Sequence, residues 1–556
     1  MSVFPSFTPS HPAGRHARVL LSSVFGPYAQ DDEFGSRKIN PMELYHNQVT
    51  RAQGPFSLRI FHRSWGIMFL QSNLENPSTV LDFPTRERFI EELKSNPYDV
   101  VGISSIIVNV GKVREMCRLV REHAPKARVL VGGHVAAIPD LDTMIDADHI
   151  VKGEGVSWMR RFLDQDPSAR IVHPPIASGF GHRIMGLKLP GDIGSTAATI
   201  IPSVGCPLGC NFCTTSAFYG GKGKYINFLE TGREVFEAME AAEKAMHLRA
   251  FFVMDENFLL HRKRAMELLD CMREANKSWE LYVFSSANAL RQYTMEELVE
   301  LGISWVWMGL ESPRSGYAKL SGTDTLDLTR NLRANGIRVL GSSIVGMEHQ
   351  TPENIASEIE YACGHETDFH QFMLYTPLPG TPLYAEMKEQ GRMLDDEELA
   401  DVHGQFKFNW KHPFISRDQS KTFLDSAFWR DFERNGPSLY RICRTTLEGI
   451  RRYRSHAEPR VRARFEREMK NLRTQYSALL WAMEKHLRLS NDSVADKVRE
   501  LRLEVRRECG GMGSFTSSWL FGPMMLWLTR REERKLAKGV TYEPKTFVER
   551  KNWATD

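Results

Sequence analysis

Three cysteines stand in a tight array, Cys206-Pro207-Leu208-Gly209-Cys210-Asn211-Phe212-Cys213, a C-x3-C-x2-C run with an aromatic residue before the last thiol. The other five, Cys117, Cys271, Cys363, Cys443 and Cys509, are scattered singly and read as buried small hydrophobes. Thiolates at that spacing bind a soft metal. Structural zinc takes four protein ligands, and no second CxxC or close Cys/His pair supplies a fourth. Three thiolates suit a [4Fe-4S] cluster whose fourth iron stays open to a small ligand. The chemistry on offer is one-electron transfer.

Such a loop needs a framework, and the chain supplies one in three parts. Apolar runs at residues 16–24, 56–62, 99–105, 128–133 and 149–155 predict buried parallel strands, with a helix over 113–123 stopped by Pro125. Strand–helix alternation over 16–165 predicts a doubly wound, Rossmann-like domain, whose ligands sit beyond the carboxyl ends of the strands. Those ends read Ser104-Ser105, Gly132-Gly133-His134 and Gly153-Glu154-Gly155. Small residues there admit a bulky ligand, although tight βα turns use glycine too.

Residues 166–197, rich in Pro, Gly and His, read as a linker. From 198 to 394 the rhythm resumes, with strands expected at 198–205, 249–257, 280–288, 305–312, 338–346 and 369–377. Helices are expected at 230–246, 262–275, 295–301, 326–334 and 352–363. Six such units predict a partial (β/α)6 barrel of TIM type, and the cysteine run follows its first strand, at the end where such barrels do chemistry. Residues 395–556 lose the strand rhythm and read as helical, with long charged segments at 428–453, 459–488 and 494–508 whose charges suit solvated faces.

Apolar residues at 42% and charged residues at 25% exclude collagen-like, mucin-like and largely disordered chains. A net charge of +3 makes no chain-wide case for nucleic acid, but residues 441–556 hold 26 Lys+Arg against 15 Asp+Glu. Within that region Trp519-Leu520-Phe521-Gly522-Pro523-Met524-Met525-Leu526-Trp527-Leu528 is too short to span a bilayer and is followed by Arg530, Arg531, Arg534 and Lys535. Tryptophans flanking an apolar patch beside cations suit a membrane surface; the alternative is a helix packed on the barrel with a basic outer face. Sparse cysteines, no evident signal peptide and no apolar run of spanning length point to a cytoplasmic protein, with peripheral contact at the inner membrane face as a further expectation.

The sequence resembles the radical S-adenosylmethionine enzymes, whose hallmark matches Cys206, Cys210, Phe212 and Cys213. In that family the open iron chelates the amino and carboxylate groups of S-adenosylmethionine, and one electron cleaves the sulfonium to a 5′-deoxyadenosyl radical. The resemblance places Asp255 and Glu256 at the amino group, and Ser286, Asn288 and Glu311 at carboxylate and ribose. Pro377-Leu378-Pro379-Gly380-Thr381-Pro382 looks like the family's barrel end. A Rossmann-like domain ahead of the barrel looks like the cobalamin-binding subclass, with Ser104, Ser105, Gly132, Gly133, His134, Gly153, Glu154 and Gly155 at the corrin. The resemblance covers roughly residues 16–390.

The Asp-x-His-x-x-Gly motif that gives many cobalamin proteins a lower-axial histidine is absent, and its place reads Phe25-Gly26-Pro27-Tyr28-Ala29-Gln30. This implies a corrin bound with no histidine beneath cobalt, His134 and His149 being the two histidines near strand ends. Implied in turn is a cobalamin-dependent methyltransferase acting on an unactivated carbon of a small or lipid-like molecule, served by an electron donor such as flavodoxin or ferredoxin. A cobalamin-type radical cyclase or rearrangement enzyme carries the same motifs, and a non-catalytic sensor on this fold remains a third class. Relatives that methylthiolate transfer RNA need further cluster cysteines in the first domain, which has only Cys117, so no nucleic acid partner is expected.

Overall fold

The computed structural model describes residues 10–28, 32–35, 43–185, 187–188, 197–320, 322–394 and 398–553. Five parallel strands build the first sheet in the order Ser78–Asp82, Val19–Ser22, Val100–Ser104, Arg128–Gly132 and His149–Ile150. Val19–Ser22 is buried at every position, as a strand covered on both faces must be.

Two expectations for this domain need correction. The run at 56–62 does not join the sheet. Its strand, Arg59–His62, alternates between buried and half-buried positions and pairs antiparallel with Gly179–Ile184 in a separate three-stranded sheet. Arg59 and His62 give it the period-2 pattern of a half-covered strand rather than a continuous apolar run. Ser78–Asp82 fills the vacant position, and sequence reading passes over it because Ser78, Thr79 and Asp82 interrupt the apolar pattern. These polar residues are fully buried, and Thr79 and Asp82 have partners: the Tyr98 hydroxyl donates to Thr79 Oγ1 at 2.9 Å and the Ser64 amide to Asp82 at 3.3 Å.

The barrel matches expectation more closely. Ala198–Ile200, Ala250–Val253, Glu280–Ser285, Ile303–Gly309, Arg338–Val345 and Phe369–Leu374 are parallel and adjacent in chain order, an open half-barrel edged by antiparallel Ile176–Ala177. Leu281 and Val283 point into the core beneath the helices, while Tyr282, Phe284, Trp305 and Trp307 alternate onto the other face and stack. Capping boxes start the helices Gly232–Met246 (Thr231 with Glu234) and Met295–Glu300 (Thr294 with Glu297). At Gly380 a side chain would sit 2.8 Å from the Ala137 carbonyl, so the end of the barrel locks against the first domain.

Six helices follow, Arg417–Asn435, Ser438–Tyr453, Pro459–Asn471, Ser477–Leu487, Asp492–Glu508 and Gly511–Ala537. The stretch expected as one helix over 428–453 breaks at Gly436, whose φ of +77° suits glycine, and at Pro437. Nor are all its charges solvated. Arg441 pairs with Asp431 at 2.9 Å and Arg338 of the barrel with Glu468 at 3.2 Å, all four buried, which fastens the helical region to the barrel.

The chain then returns to its beginning. Phe547–Lys551 adds an antiparallel strand to Ser78–Asp82 and completes the first sheet. Lys551 Nζ donates to the carbonyls of Gln71, Ser72 and Leu74 at 2.8–3.2 Å, capping the helix Trp65–Ser72.

Candidate functional site

The cysteine loop leaves the first barrel strand through a ribbon of Ser203–Val204 paired with Ile226–Asn227. Gly205 and Gly209 hold φ of +87° and +67°, and a Cβ on Gly209 would lie 2.5 Å from Lys222 Cβ, so the turn between the first two thiols requires glycine. Backbone bonds pin the loop: Cys213 N donates to Cys210 O at 3.1 Å, Gly223 N to Pro207 O at 2.8 Å and Leu383 N to Asn211 O at 3.0 Å. Ser216 Oγ donates to Cys206 O at 2.8 Å. Cys213 caps the helix Thr214–Phe218, its sulfur facing the Ser216 amide at 3.5 Å.

All three thiols are half-buried and free. Burial pushes Cys206 up to about 11 and raises Cys210 and Cys213, with Cys213 adding to the rise at both Cys206 and Cys210. Lys319 works against this at Cys210 and Cys213, and the Ser216 and Thr215 amides do so at Cys213. Three thiols on one pinned loop, beside a cation and backbone amides, fit an iron–sulfur cluster, whose bound thiols are deprotonated.

Around this loop the strand ends bring most of the expected residues together, and the two acids of Asp255-Glu256 part company. Asp255 is buried, ion-paired with Arg264, and accepts from the Ser203 hydroxyl at 2.6 Å. Glu256 Oε2 is buried with no partner; burial first, and Asp255 second, raise the carboxyl to about 8. Its charge acts on Cys206 and Cys213, so Glu256 is the acid that faces the cysteine loop.

The next strand ends form a polar chain in which Asn257 Nδ2 donates to Ser286 Oγ at 2.9 Å and Ser286 Oγ to Asn288 Oδ1 at 2.6 Å. Glu311 is ion-paired with Lys319 through Oε1, and its buried Oε2 has no partner. Burial pulls the Lys319 ammonium down, but Glu311 and Cys210 outweigh it and hold it above the usual lysine value. Lys319 Nζ lies 5.4 Å over the Phe212 ring, which packs edge-on against Tyr317. Tyr317 donates to Asn211 Oδ1 at 3.0 Å.

Sequence reading missed Lys319, Tyr317, Asn211 and Arg264. Arg264 lies on the helix after Asp255, where an acid followed by a basic helix is an available signal. Lys319 lies in the second of two short 3-10 turns after Glu311, and no spacing rule marks it.

A cleft opens between the two domains, lined by Ser104, Gly132, Gly133, Gly153, Glu154 and Gly155 among others. Ile201 and Val204 of the barrel face it, as do Phe218 and Tyr219, which follow Cys213 on its helix. At Gly133, with φ +78°, a Cβ would sit 2.6 Å from Ser105 O; at Gly155 it would meet nothing within 4 Å, in open space. The Glu154 carboxylate caps the helix Gly155–Phe162, accepting from Ser157 N at 2.9 Å and from Val156 N.

Ser105 and His134 stand behind the lining, each with a buried polar atom, Oγ and Nδ1, that lacks a partner. Burial holds His134 down to about 4, and its ring packs 5.0 Å from Phe218. His149 lies elsewhere, its ring tilted against Trp158 and edge-on to Phe162. Of the segment 25–30, Ala29 and Gln30 are outside the described residues. Phe25 and Pro27 accept from the buried Lys112 Nζ at 3.0 and 2.6 Å, and the Tyr28 amide donates to Glu543 of the tail. A glycine-edged apolar cleft with unpaired polar atoms behind it fits a broad, flat ligand such as a corrin.

Among curated proteins, the chain is 24% identical over 388 residues to bacteriochlorophyllide d C-8(2)-methyltransferase of Chlorobaculum tepidum, covering 66% of this chain and 83% of that one. It is 22% identical over 406 residues to the anaerobic magnesium-protoporphyrin IX monomethyl ester cyclase of Rubrivivax gelatinosus, with 62% and 70% covered. Among solved structures it shares the fold of the radical S-adenosylmethionine methyltransferase TsrM from Kitasatospora setae, solved with cobalamin and a [4Fe-4S] cluster bound. That likeness has a TM-score of 0.51 at 17% identity, over 82% of this chain and 99% of the other. Family models for the B12 binding domain and the radical SAM superfamily match residues 67–163 and 200–362, the segments that form the glycine-edged cleft and the cysteine-bearing barrel. The chain belongs to the radical S-adenosylmethionine enzymes that carry a cobalamin-binding domain.

Proposed function

We propose that this protein is a cobalamin-dependent methyltransferase that adds a methyl group to an unactivated carbon of an apolar small molecule. One observation carries the reading: Phe218 and Tyr219, at the end of the short helix that Cys213 caps, form a wall of the cleft at the strand ends of the first domain. The two cofactor sites therefore share a boundary, as a methyl relay requires.

Cys206, Cys210 and Cys213 would hold the cluster. With S-adenosylmethionine and cobalamin bound, these groups supply one-electron chemistry and a transferable methyl group. The chain's own residues orient and shield. Glu256 receives the ammonium of S-adenosylmethionine, and Lys319 its carboxylate. Ser286, Asn288 and Glu311 face the ribose, and Asp255 holds Arg264 and Ser203 as a scaffold. Phe212 packs beneath Lys319. The half-buried stack of Phe284 on Trp307, 4.8 Å apart, gives the barrel an apolar face for substrate. Apolar walls exclude water from a reactive centre. A redox protein such as flavodoxin or ferredoxin supplies the electron.

The cyclase relative favours a second reading, in which the same site closes a ring on its substrate. Anaerobically reconstituted protein given methyl-labelled S-adenosylmethionine and a cell extract decides between them. Label in a new product supports methyl transfer. Formation of 5′-deoxyadenosine with no label in any product overturns it in favour of cyclisation or rearrangement, and no turnover of S-adenosylmethionine at all indicates a binding protein.

A further inference from the structure

The helix Gly511–Ala537 is amphipathic in the reverse sense. A surface helix ordinarily buries its apolar stripe and shows polar residues to water. Here the face against the protein sets small and polar residues around one buried apolar side chain, Met525, with Leu526 and Leu528 only partly covered. Ser517, Ser518, Thr529 and Glu532 are buried, Ser518 Oγ donates to Ser477 O at 3.1 Å, and Gly522 lies against Trp481 so closely that a Cβ would come within 2.7 Å of its ring. Glu532 accepts from Tyr542.

The large apolar side chains face outward. Trp519 is 71% exposed, Met512 79%, Leu520 59% and Trp527 55%, with Phe521 and Met524 each at 48%. At 100° per residue, Met512, Trp519, Leu520, Met524 and Trp527 share one side of the helix with Arg530, Arg531, Arg534 and Lys538, all exposed. The outer face is thus apolar for its first half and cationic for its second. Arg531 lies 5.4 Å over the Trp527 ring, at the seam. The packed alternative foreseen from sequence holds for the inner face only, since the outer face is aromatic before it is basic.

Contiguous exposed apolar side chains mark an interaction surface. We propose that this face docks on an anionic lipid surface, with Trp519, Leu520, Met524 and Trp527 entering the headgroup region and Arg530, Arg531, Arg534 and Lys538 meeting lipid phosphates. The alternation of aromatic and cationic blocks argues for lipid: an interface between two copies would set these cations against one another, whereas a phosphate surface complements them. No helix among the described residues is long and apolar enough to cross a membrane, so the contact is peripheral. Docking there would bring the enzyme to substrates dissolved in the bilayer.

Flotation of the full chain with vesicles of phosphatidylcholine and phosphatidylglycerol, against phosphatidylcholine alone, tests this. Wild type should float with the anionic vesicles at low salt and less at high salt. Trp519→Ala/Trp527→Ala and Arg530→Glu/Arg534→Glu should each cut the bound fraction by about tenfold. Because all four side chains are exposed, melting temperature and iron content should not change. Wild type left unbound at low salt, or a tryptophan variant that floats equally well, overturns the proposal. So does sedimentation showing a wild-type dimer that the tryptophan variant dissociates, which would make the face an interface between copies.

Discussion

Asp255 and Glu256 are adjacent carboxylates that the fold assigns to different work. Asp255 neutralises Arg264 in the interior, and an ion pair broken from one side leaves the other charge buried and uncompensated, a cost of about 3–5 kcal/mol. Asp255→Asn should therefore lower the melting temperature substantially. Glu256 has an unpaired Oε2, and the backbone amides of Gly205 and Glu256 that its carboxyl meets can equally be met by an amide oxygen, so Glu256→Gln should fold normally and retain its iron. Its loss should appear in S-adenosylmethionine binding, weakened by about 10- to 100-fold, the range for a hydrogen bond to a charged group. Calorimetric unfolding and equilibrium binding separate the two effects. The assignment is wrong if Asp255→Asn loses ligand at unchanged stability while Glu256→Gln binds normally.

At the scale of elements, the cysteine loop depends on a backbone conformation as much as on its thiols. Gly209 combines a positive φ with van der Waals contact against Lys222. Gly209→Ala should displace the segment between Cys206 and Cys210, and anaerobically reconstituted protein should hold less than about half the iron of wild type, because left-handed backbone is strained for alanine and the clash adds to it. Gly221→Ala is the control, since it too has positive φ but a Cβ there would meet nothing within 4 Å. Iron analysis and the visible absorption band give the answer; equal loss in both variants would mean that backbone strain alone, not the contact with Lys222, governs the loop. The barrel elements were legible in sequence because strand–helix rhythm and capping are local properties. Ser78–Asp82 was not, because buried polar residues satisfied by distant partners break the apolar pattern that marks a strand.

Over the whole molecule, burial sets the response to acid. His134, His173, His365 and His403 are held to about 4 and His46 to about 3, in each case first by loss of water. An imidazole kept neutral in the folded chain takes a proton near its ordinary 6.5 once unfolded. Its contribution is complete above 6.5 and falls by about 1.4 kcal/mol per pH unit below it, down to the folded value. Glu43 and Glu256, raised by burial to about 7 and about 8, run the other way: they favour the folded state below 4.5 and lose that contribution as pH rises. Between 4.5 and 6.5 the five histidines outweigh the two carboxyls, so the urea midpoint of the full chain should drop between pH 7 and pH 5. A midpoint that rises over that interval would show the histidines to be accessible to water.

The sequence by itself determined the chemistry of the loop and the order of the domains. Three thiols at fixed spacing, a following helix and alternating strands are short-range facts, governed by the backbone and by residues within a turn or two of each other. Only the tertiary structure decided which of two neighbouring acids faces that loop, that Lys319 stands beside Cys210, and that the charged helices hide Arg441 and Asp431 in an ion pair. Only the fold shows the terminal Phe547–Lys551 completing a sheet begun at Val19, and the helix Gly511–Ala537 turning its tryptophans outward. Each of these depends on a partner far away in the chain, and a side chain's environment is set by what packs against it rather than by its neighbours in sequence.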